Sequence, residues 1–275
     1  MRVLFFNKEI LKEVAMGEFN TKPNSEVDIE NGELLYDDGE HKFIWLGWGQ
    51  AEEGMIQTNQ YLIVDNGRGV LLDPGGIHIF PKVVSNVTKY IDLDDIDFIF
   101  FSHQDPDVSS GIPMWLSVTS ADIYISELWV RFLPHFGITD LSRIKGVGDG
   151  GVSVAGLDII PAHFMHSPGN HIAFDKKSQI LFNADIGAAV FGSQRYLFVD
   201  DDNFNSHVSI MEGFHKRYIA SSNVCKHYIN RVRALNPRMI APQHGAIFRG
   251  KAVDMFLNWL GSLRCGADII DEISR

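Results

Sequence analysis

Thiols, positive charge and long apolar runs are all scarce in this 275-residue sequence. Its two cysteines, Cys225 and Cys265, lie far apart in no C-x-x-C arrangement. That argues against a disulfide framework or a thiolate metal site, and reads as unpaired thiols in a reducing compartment. Lys and Arg number 24 against 35 Asp and Glu, for a formal charge of −11. Nucleic acid and anionic membranes both require a basic surface, so neither is expected as a partner. No apolar run approaches the roughly 18–20 residues of a membrane span. Residues 1–6 are followed too soon by Lys8, Glu9, Lys12 and Glu13 to form a signal-peptide core. The expectation is a cytoplasmic protein. Low-complexity linkers and short repeats are also missing, and the length sits near the upper limit for one hydrophobic core. Residues 1–275 are therefore expected to form one domain.

What is present is an ordinary globular composition, 45% hydrophobic and 21% charged, enough to build that core. The first 40 residues predict short strands or hairpins. Strands are expected at residues 43–46, 60–65 and 70–73, with Asn66-Gly67 as a hairpin turn between the last two. A helix follows at 81–90, then a nearly continuous apolar strand at 96–102. Helix at 111–117, strand at 121–126 and a helix through Trp129 come next. Residues 150–198 are β-rich, 207–235 are helical, and 253–260 read as a last helix. The glycine-rich run 146–151 reads as a turn between strands, not a phosphate loop. This order suits an α/β fold of two face-to-face sheets with helices outside, an αββα sandwich.

The chemistry concentrates where strands end. Ser102-His103-Gln104-Asp105-Pro106-Asp107 places one imidazole and two carboxylates at alternating positions. Extended backbone would put them on one side, and a turn would also converge them. A divalent cation neutralises such mutual repulsion. Residues 162–171 hold His163, His166 and His171 around a Pro-Gly turn. Asp185 follows the apolar strand 180–182, and His244 follows Ile240-Ala241-Pro242-Gln243. Layered α/β folds usually build active sites at such strand ends.

The order His-x-acid-x-Asp, then His, then Asn-Ala-Asp-x-Gly, then Ala-Pro-x-His-Gly resembles the metallo-β-lactamase superfamily. Within it the sequence is similar to the flavodiiron group, which carries a carboxylate at the third motif position. Here that position is Asp105, shorter than the family's glutamate. Separations of 59 residues from Asp107 to His166, 19 to Asp185 and 59 to His244 suit the group. The resemblance runs from about Phe43, through Thr58-Asn59-Gln60-Tyr61, to Phe248. It implies that His103, Asp105 and His166 hold a first metal, that Asp107 and His244 hold a second, and that Asp185 bridges them. Carboxylate and imidazole ligands favour two iron ions, with manganese or zinc as alternatives. Two departures stand out. Val108 replaces the histidine that often follows the second acid, and His171, His163 or His207 would compensate or act as supporting or alternative ligands. The His-x-Pro pattern selects His166, while the hydrolases' pattern points to His171.

Flavodiiron enzymes add a flavodoxin-like domain whose FMN supplies electrons. The sequence ends about 30 residues after His244, so no such domain and no FMN are expected. It is similar to the flavin-free oxygen-binding diiron proteins tied to bacterial chemotaxis, which implies an oxygen sensor with dioxygen as ligand. A second reading is an oxidoreductase that reduces dioxygen or nitric oxide with electrons from a separate redox partner. A third is a dinuclear hydrolase of an ester, lactone or phosphodiester. The resemblance also implies a homodimer and a chemotaxis signalling partner. Trp45, Trp48, Trp115 and Phe248 are candidates for the dimer surface.

Overall fold

The structure, a computed structural model, describes residues 17–48, 56–192 and 195–273. Residues 1–13, weighed above for a leader, lie outside these. One sheet contains β1 (Glu18–Phe19), β2 (Glu33–Asp37), β3 (His41–Trp45), β4 (Tyr61–Asp65), β5 (Arg68–Leu72), β6 (Ile96–Phe101), β7 (Asp122–Ser126) and β8 (Ile144–Val147), in sequence order. Neighbours are antiparallel as far as β5 and parallel from β5 to β8. The other contains β9 (Val152–Val154), β10 (Leu157–Pro161), β11 (His171–Asp175), β12 (Ile180–Phe182), β13 (Phe198–Val199), β14 (Met239–Ala241) and β15 (Ile247–Arg249). Its spatial order is β13-β15-β14-β12-β11-β10-β9. The glycine-rich run 146–151 ends β8 with its first two residues, and 148–151 form the expected turn that carries the chain from the edge of one sheet to the edge of the other. Asn66 and Gly67 both take positive φ, 49° and 78°, which matches the right-handed twist of the β4–β5 hairpin.

Most strands are apolar on both faces, so each sheet must be covered twice. Tyr61, Ile63, Phe98 and Phe100 point between the sheets, where they meet Ile159, Ala173, Ile180 and Phe182. Leu62, Val64, Ile99 and Phe101 point outward, under α1 (Phe80–Val87), α2 (Pro106–Ser109), α3 (Ile112–Val118) and α4 (Glu127–Val130). The second sheet's outer residues Ile172, Leu181, Ile240 and Phe248 lie under α5 (Phe204–Tyr218), α6 (Ser222–Leu235) and α7 (Lys251–Ser262). A short α8 (Ile270–Ile273) follows. The architecture is the αββα sandwich expected from the sequence.

Two expectations change. Trp45, Trp48, Trp115 and Phe248 are 0–3% exposed and form no dimer surface. Each fills an apolar layer, where burying a side chain of this size contributes roughly 2–3 kcal/mol. The helical stretch at 207–235 is also two helices. Between them the Ala220 N–H donates to Phe164 O (3.0 Å) and the Ser222 N–H to the Asp268 carboxylate (2.6 Å). These remote partners take the backbone out of the helix at 219–221.

Helix α5 also buries two neutral histidines. Burial lowers both His207 and His215 to about 4. His215 Nδ1 donates to Met211 O (2.8 Å) and its Nε2 accepts from the Gly187 N–H (2.8 Å), so protonation would break the second bond. The unfolded chain takes up these protons first, near the ordinary value of 6.5. Stability is therefore complete above about pH 6.5 and is lost between there and pH 4, by roughly 2 kcal/mol per histidine at pH 5. Urea midpoints at pH 7.5 and pH 5 test this. The His207→Gln variant is expected to lose less stability on acidification than the native chain, and an equal loss refutes the assignment.

Candidate metal centre

Three strands and one turn deliver six side chains to one edge of the sandwich. His103 stands just beyond β6, Asp185 beyond β12 and His244 beyond β14; His166 stands in the turn between β10 and β11. Asp105 and Asp107 do not converge through extended alternation. Asp105 precedes α2 with extended backbone (φ −62°, ψ 148°), and Asp107 lies in that helix's first turn. The Asp105 carboxylate makes no capping bond to α2, which leaves it available to the site.

The contacts centre on Asp185. Its Oδ1 lies 3.7 Å from His103 Nε2, and its Oδ2 lies 3.7 Å from His166 Nδ1 and 3.6 Å from His244 Nε2. Asp105 Oδ2 is 3.0 Å from His166 Nε2 and 3.7 Å from His103 Nε2. Asp107 Oδ2 is 3.2 Å from His244 Nε2. Donor atoms of His103, Asp105, His166 and Asp185 all lie within 4.8 Å of one another. His244 and Asp107 adjoin this group through Asp185.

Burial would push the Asp105 and Asp107 carboxyls up. The hydrogen bond and charge of His166 at Asp105, and of His244 at Asp107, overcome it and hold both below the usual carboxylate range. Burial lowers His103. At His244 burial opposes the charged form, but the fields of Asp185 and Asp107 prevail and raise it to about 9. His103 Nε2, His166 Nδ1 and Asp185 Oδ1 are buried without a hydrogen-bond partner. Unmatched buried polar atoms each cost about 1–3 kcal/mol. Cations among these nitrogen and oxygen donors would remove that cost, and the donor set suits iron or manganese.

Surrounding bonds aim the imidazoles. His103 Nδ1 donates to Ser102 Oγ (2.8 Å), whose hydroxyl donates to Asp73, so Nε2 presents its lone pair to the site. Asp73 also accepts from the Ser102 N–H (2.7 Å), and burial raises its carboxyl to about 8. His244 Nδ1 donates to Gln57 O (2.7 Å), which turns its Nε2 toward Asp107 and Asp185. Phe214 and Tyr218 of α5 stack on the His166 ring, with centroids 5.8 and 5.2 Å away.

The buried Asn59 binds the His244 loop. Its Nδ2 donates to Pro242 O (2.9 Å) and Gly245 O (3.0 Å), while its Oδ1 accepts from the indoles of Trp45 (3.0 Å) and Trp48 (2.5 Å). Beside it, Gly245 has φ +85°, and a Cβ there would meet Ala189 at 2.8 Å. Sequence reasoning missed Asp73 and Asn59. The available signal was Asp73 at the end of β5, the same strand-then-acid pattern seen at Asp185.

The remaining histidines stand apart. His171 opens β11, with Nδ1 donating to Gly169 O (2.9 Å) and its ring 5.5 Å from that of His163. His163 Nε2 lies 3.1 Å from Asp149. His207 Nδ1 pairs with the Tyr196 hydroxyl (2.9 Å) in the outer layer. Val108 is fully buried in the apolar layer under α1–α4.

Comparison with known proteins follows the same lines. The family model described as ODP family beta lactamase matches residues 56–245. A structure described as a peroxy diiron species of the chemotaxis sensor ODP is 52% identical, with a TM-score of 0.79, covering 88% of this chain and 99% of that one. An uncharacterized protein of Methanocaldococcus jannaschii is 25% identical over 220 residues, 73% of this chain and 52% of that protein. An anaerobic nitric oxide reductase flavorubredoxin of Salmonella typhi is 24% identical over 222 residues, 73% of this chain and 44% of that protein. The chain thus spans about half the length of the curated relatives it matches.

Proposed function

The chain belongs to the family described as ODP family beta lactamase, and from that premise we propose that it is an oxygen-binding non-heme di-iron protein that senses oxygen for chemotactic signalling. The observation that carries this reading is the clustering of three imidazoles around the buried Asp185 carboxylate in a chain 52% identical to a diiron chemotaxis sensor. His103, Asp105 and His166 would hold one iron, Asp107 and His244 the other, with Asp185 between them. Two ferrous ions held there would supply the two electrons needed to bind dioxygen. The chain's own groups set the conditions for it. Asp105, Asp107 and Asp185 balance the cations' charge, Ser102 and Gln57 O hold the imidazole protons away from the site, and Phe214 with Tyr218 screens His166 from water.

Residues 1–275 act in this reading as one metallo-β-lactamase-like unit without bound FMN. They function in the cytoplasm as a homodimer that passes its signal to a chemotaxis protein. Anaerobic loading with ferrous iron followed by air, with metal analysis and visible spectra, tests it. About two irons per chain and a lasting absorption band are expected. Retention of zinc with no iron uptake would overturn the reading and favour a dinuclear hydrolase. The flavorubredoxin likeness supports one alternative, reduction of oxygen or nitric oxide with electrons from a separate partner. Sustained oxygen consumption in the presence of a reductase distinguishes that activity from sensing.

A further inference from the structure

Cys225 and Cys265 are the chain's two cysteines, and their sulfurs lie 3.8 Å apart in the outer layer over the second sheet. Both are free and fully buried. Cys225 stands in the first turns of α6, and Cys265 lies in the stretch between α7 and α8. Backbone bonds hold the two segments together around the sulfurs. The Gly266 N–H donates to Lys216 O (2.9 Å) and the Ala267 N–H to Ala220 O (2.8 Å). Ser221 and Gly266 form a β-bridge, and Asp268 accepts from the Ser222 N–H (2.6 Å). The sulfurs are therefore kept opposed by contacts on both sides.

Two small apolar side chains would fill this space equally well, but two thiols facing one another across 3.8 Å also share a proton, with either sulfur able to donate. Access to the oxidant then decides which of them attacks. Closing the gap by about 1.8 Å to a bonded distance is small against the arc Sγ sweeps between rotamers. Cys265 also lies just beneath the surface, since Arg264, Ala267 and Asp268 around it are exposed. A local opening of that stretch admits a small oxidant.

We propose that Cys225 and Cys265 are a redox modification site, oxidised by hydrogen peroxide to an intramolecular disulfide that staples the α7–α8 stretch to α6. The Cys265 sulfur attacks one peroxide oxygen, the O–O bond breaks, and a sulfenic acid and one water result. The Cys225 sulfur then displaces the hydroxyl as a second water while the S–S bond forms. Two thiols and one peroxide thus give one disulfide and two waters, and the two electrons lost by sulfur go to oxygen. The staple stiffens the α5–α6 corner, which binds Phe164 O next to the His166 turn and carries the rings stacked on His166. It goes beyond the proposed function and does not depend on which metal the centre holds.

The test treats the purified, reduced full chain with hydrogen peroxide, then counts thiols under denaturing conditions and maps its peptides. The expected result is loss of both thiols, a linked Cys225–Cys265 peptide pair and full reversal by dithiothreitol. The thermal midpoint should rise by roughly 5 °C, because the link closes a long loop. Cys225→Ser and Cys265→Ser are each expected to keep no such link and gain no midpoint shift. If the native chain retains both thiols, or oxidises them singly without a linked peptide, the proposal is wrong. That readout stands even where a variant does not fold.

Discussion

Asp185→Asn is expected to cut bound iron from about two per chain to fewer than one, with affinity reduced at least ~100-fold. Among the described residues Asp185 is the carboxylate that lies within 4 Å of all three imidazoles, His103, His166 and His244. Asp105 approaches two of them and Asp107 one. Asparagine keeps the volume, so the fold should persist, but it removes the negative charge that two neighbouring cations would share. Metal analysis after anaerobic ferrous loading reads the effect, and circular dichroism checks the fold. A variant that retains both irons would sink the bridging role. Asp107→Asn, by the same geometry, is expected to lose the iron held with His244 and keep the other.

The second large effect falls on stability. Asn59→Ala strands two indole N–H groups and the Gly245 carbonyl, all paired with Asn59 in a buried setting, and leaves Pro242 O with the Tyr61 hydroxyl as its side-chain partner. Each stranded group costs about 1–3 kcal/mol, and partial rearrangement leaves a net loss on the order of 4 kcal/mol. The His244 loop loses its anchor in the same step, so iron binding is expected to weaken as well. Asn59→Asp is expected to recover none of that stability, since it still accepts from Trp45 and Trp48 but turns a buried carboxylate oxygen onto the Pro242 and Gly245 carbonyls. Urea unfolding with parallel metal analysis gives both numbers. Native-like stability for Asn59→Ala would show that the loop holds itself.

Acid sensitivity from His207 and His215 is a smaller and separable effect. Both act in the outer layer over the second sheet, through burial of a neutral ring. Their contribution should appear in stability below pH 6.5 whatever metal is bound.

Much of this protein is legible locally. The β4–β5 hairpin follows from Asn66-Gly67, whose conformations depend on two residues alone. The largely apolar runs of β6, β12 and β14 demand cover on both faces, and a polar residue able to bind metal just beyond each marks a strand end. His103, Asp185 and His244 were visible for that reason, and the sandwich followed from the order of the runs. Spacing could not say how Asp105 and Asp107 converge; the short helix α2 decided that. It also left His166 and His171 as rivals, and the turn at 162–170 brings His166 into the four-residue group.

Other features depend on residues far apart in the chain, and no local pattern encodes them. Asp73 reaches Ser102 across 29 positions, and Asn59 reaches Pro242 and Gly245 across more than 180. Cys225 meets Cys265 across 40, although their separation in sequence suggests thiols with nothing in common. The break at 219–221 is set by Phe164 and Asp268, and the four large aromatics proposed for a surface are claimed by the core. The sequence by itself determined the strands, their double-sided burial and the polar groups at their ends, because backbone preference and side-chain period act over a few residues. Only the tertiary structure decided which of those groups share a centre and what orients them, because that depends on how two separately built sheets pack.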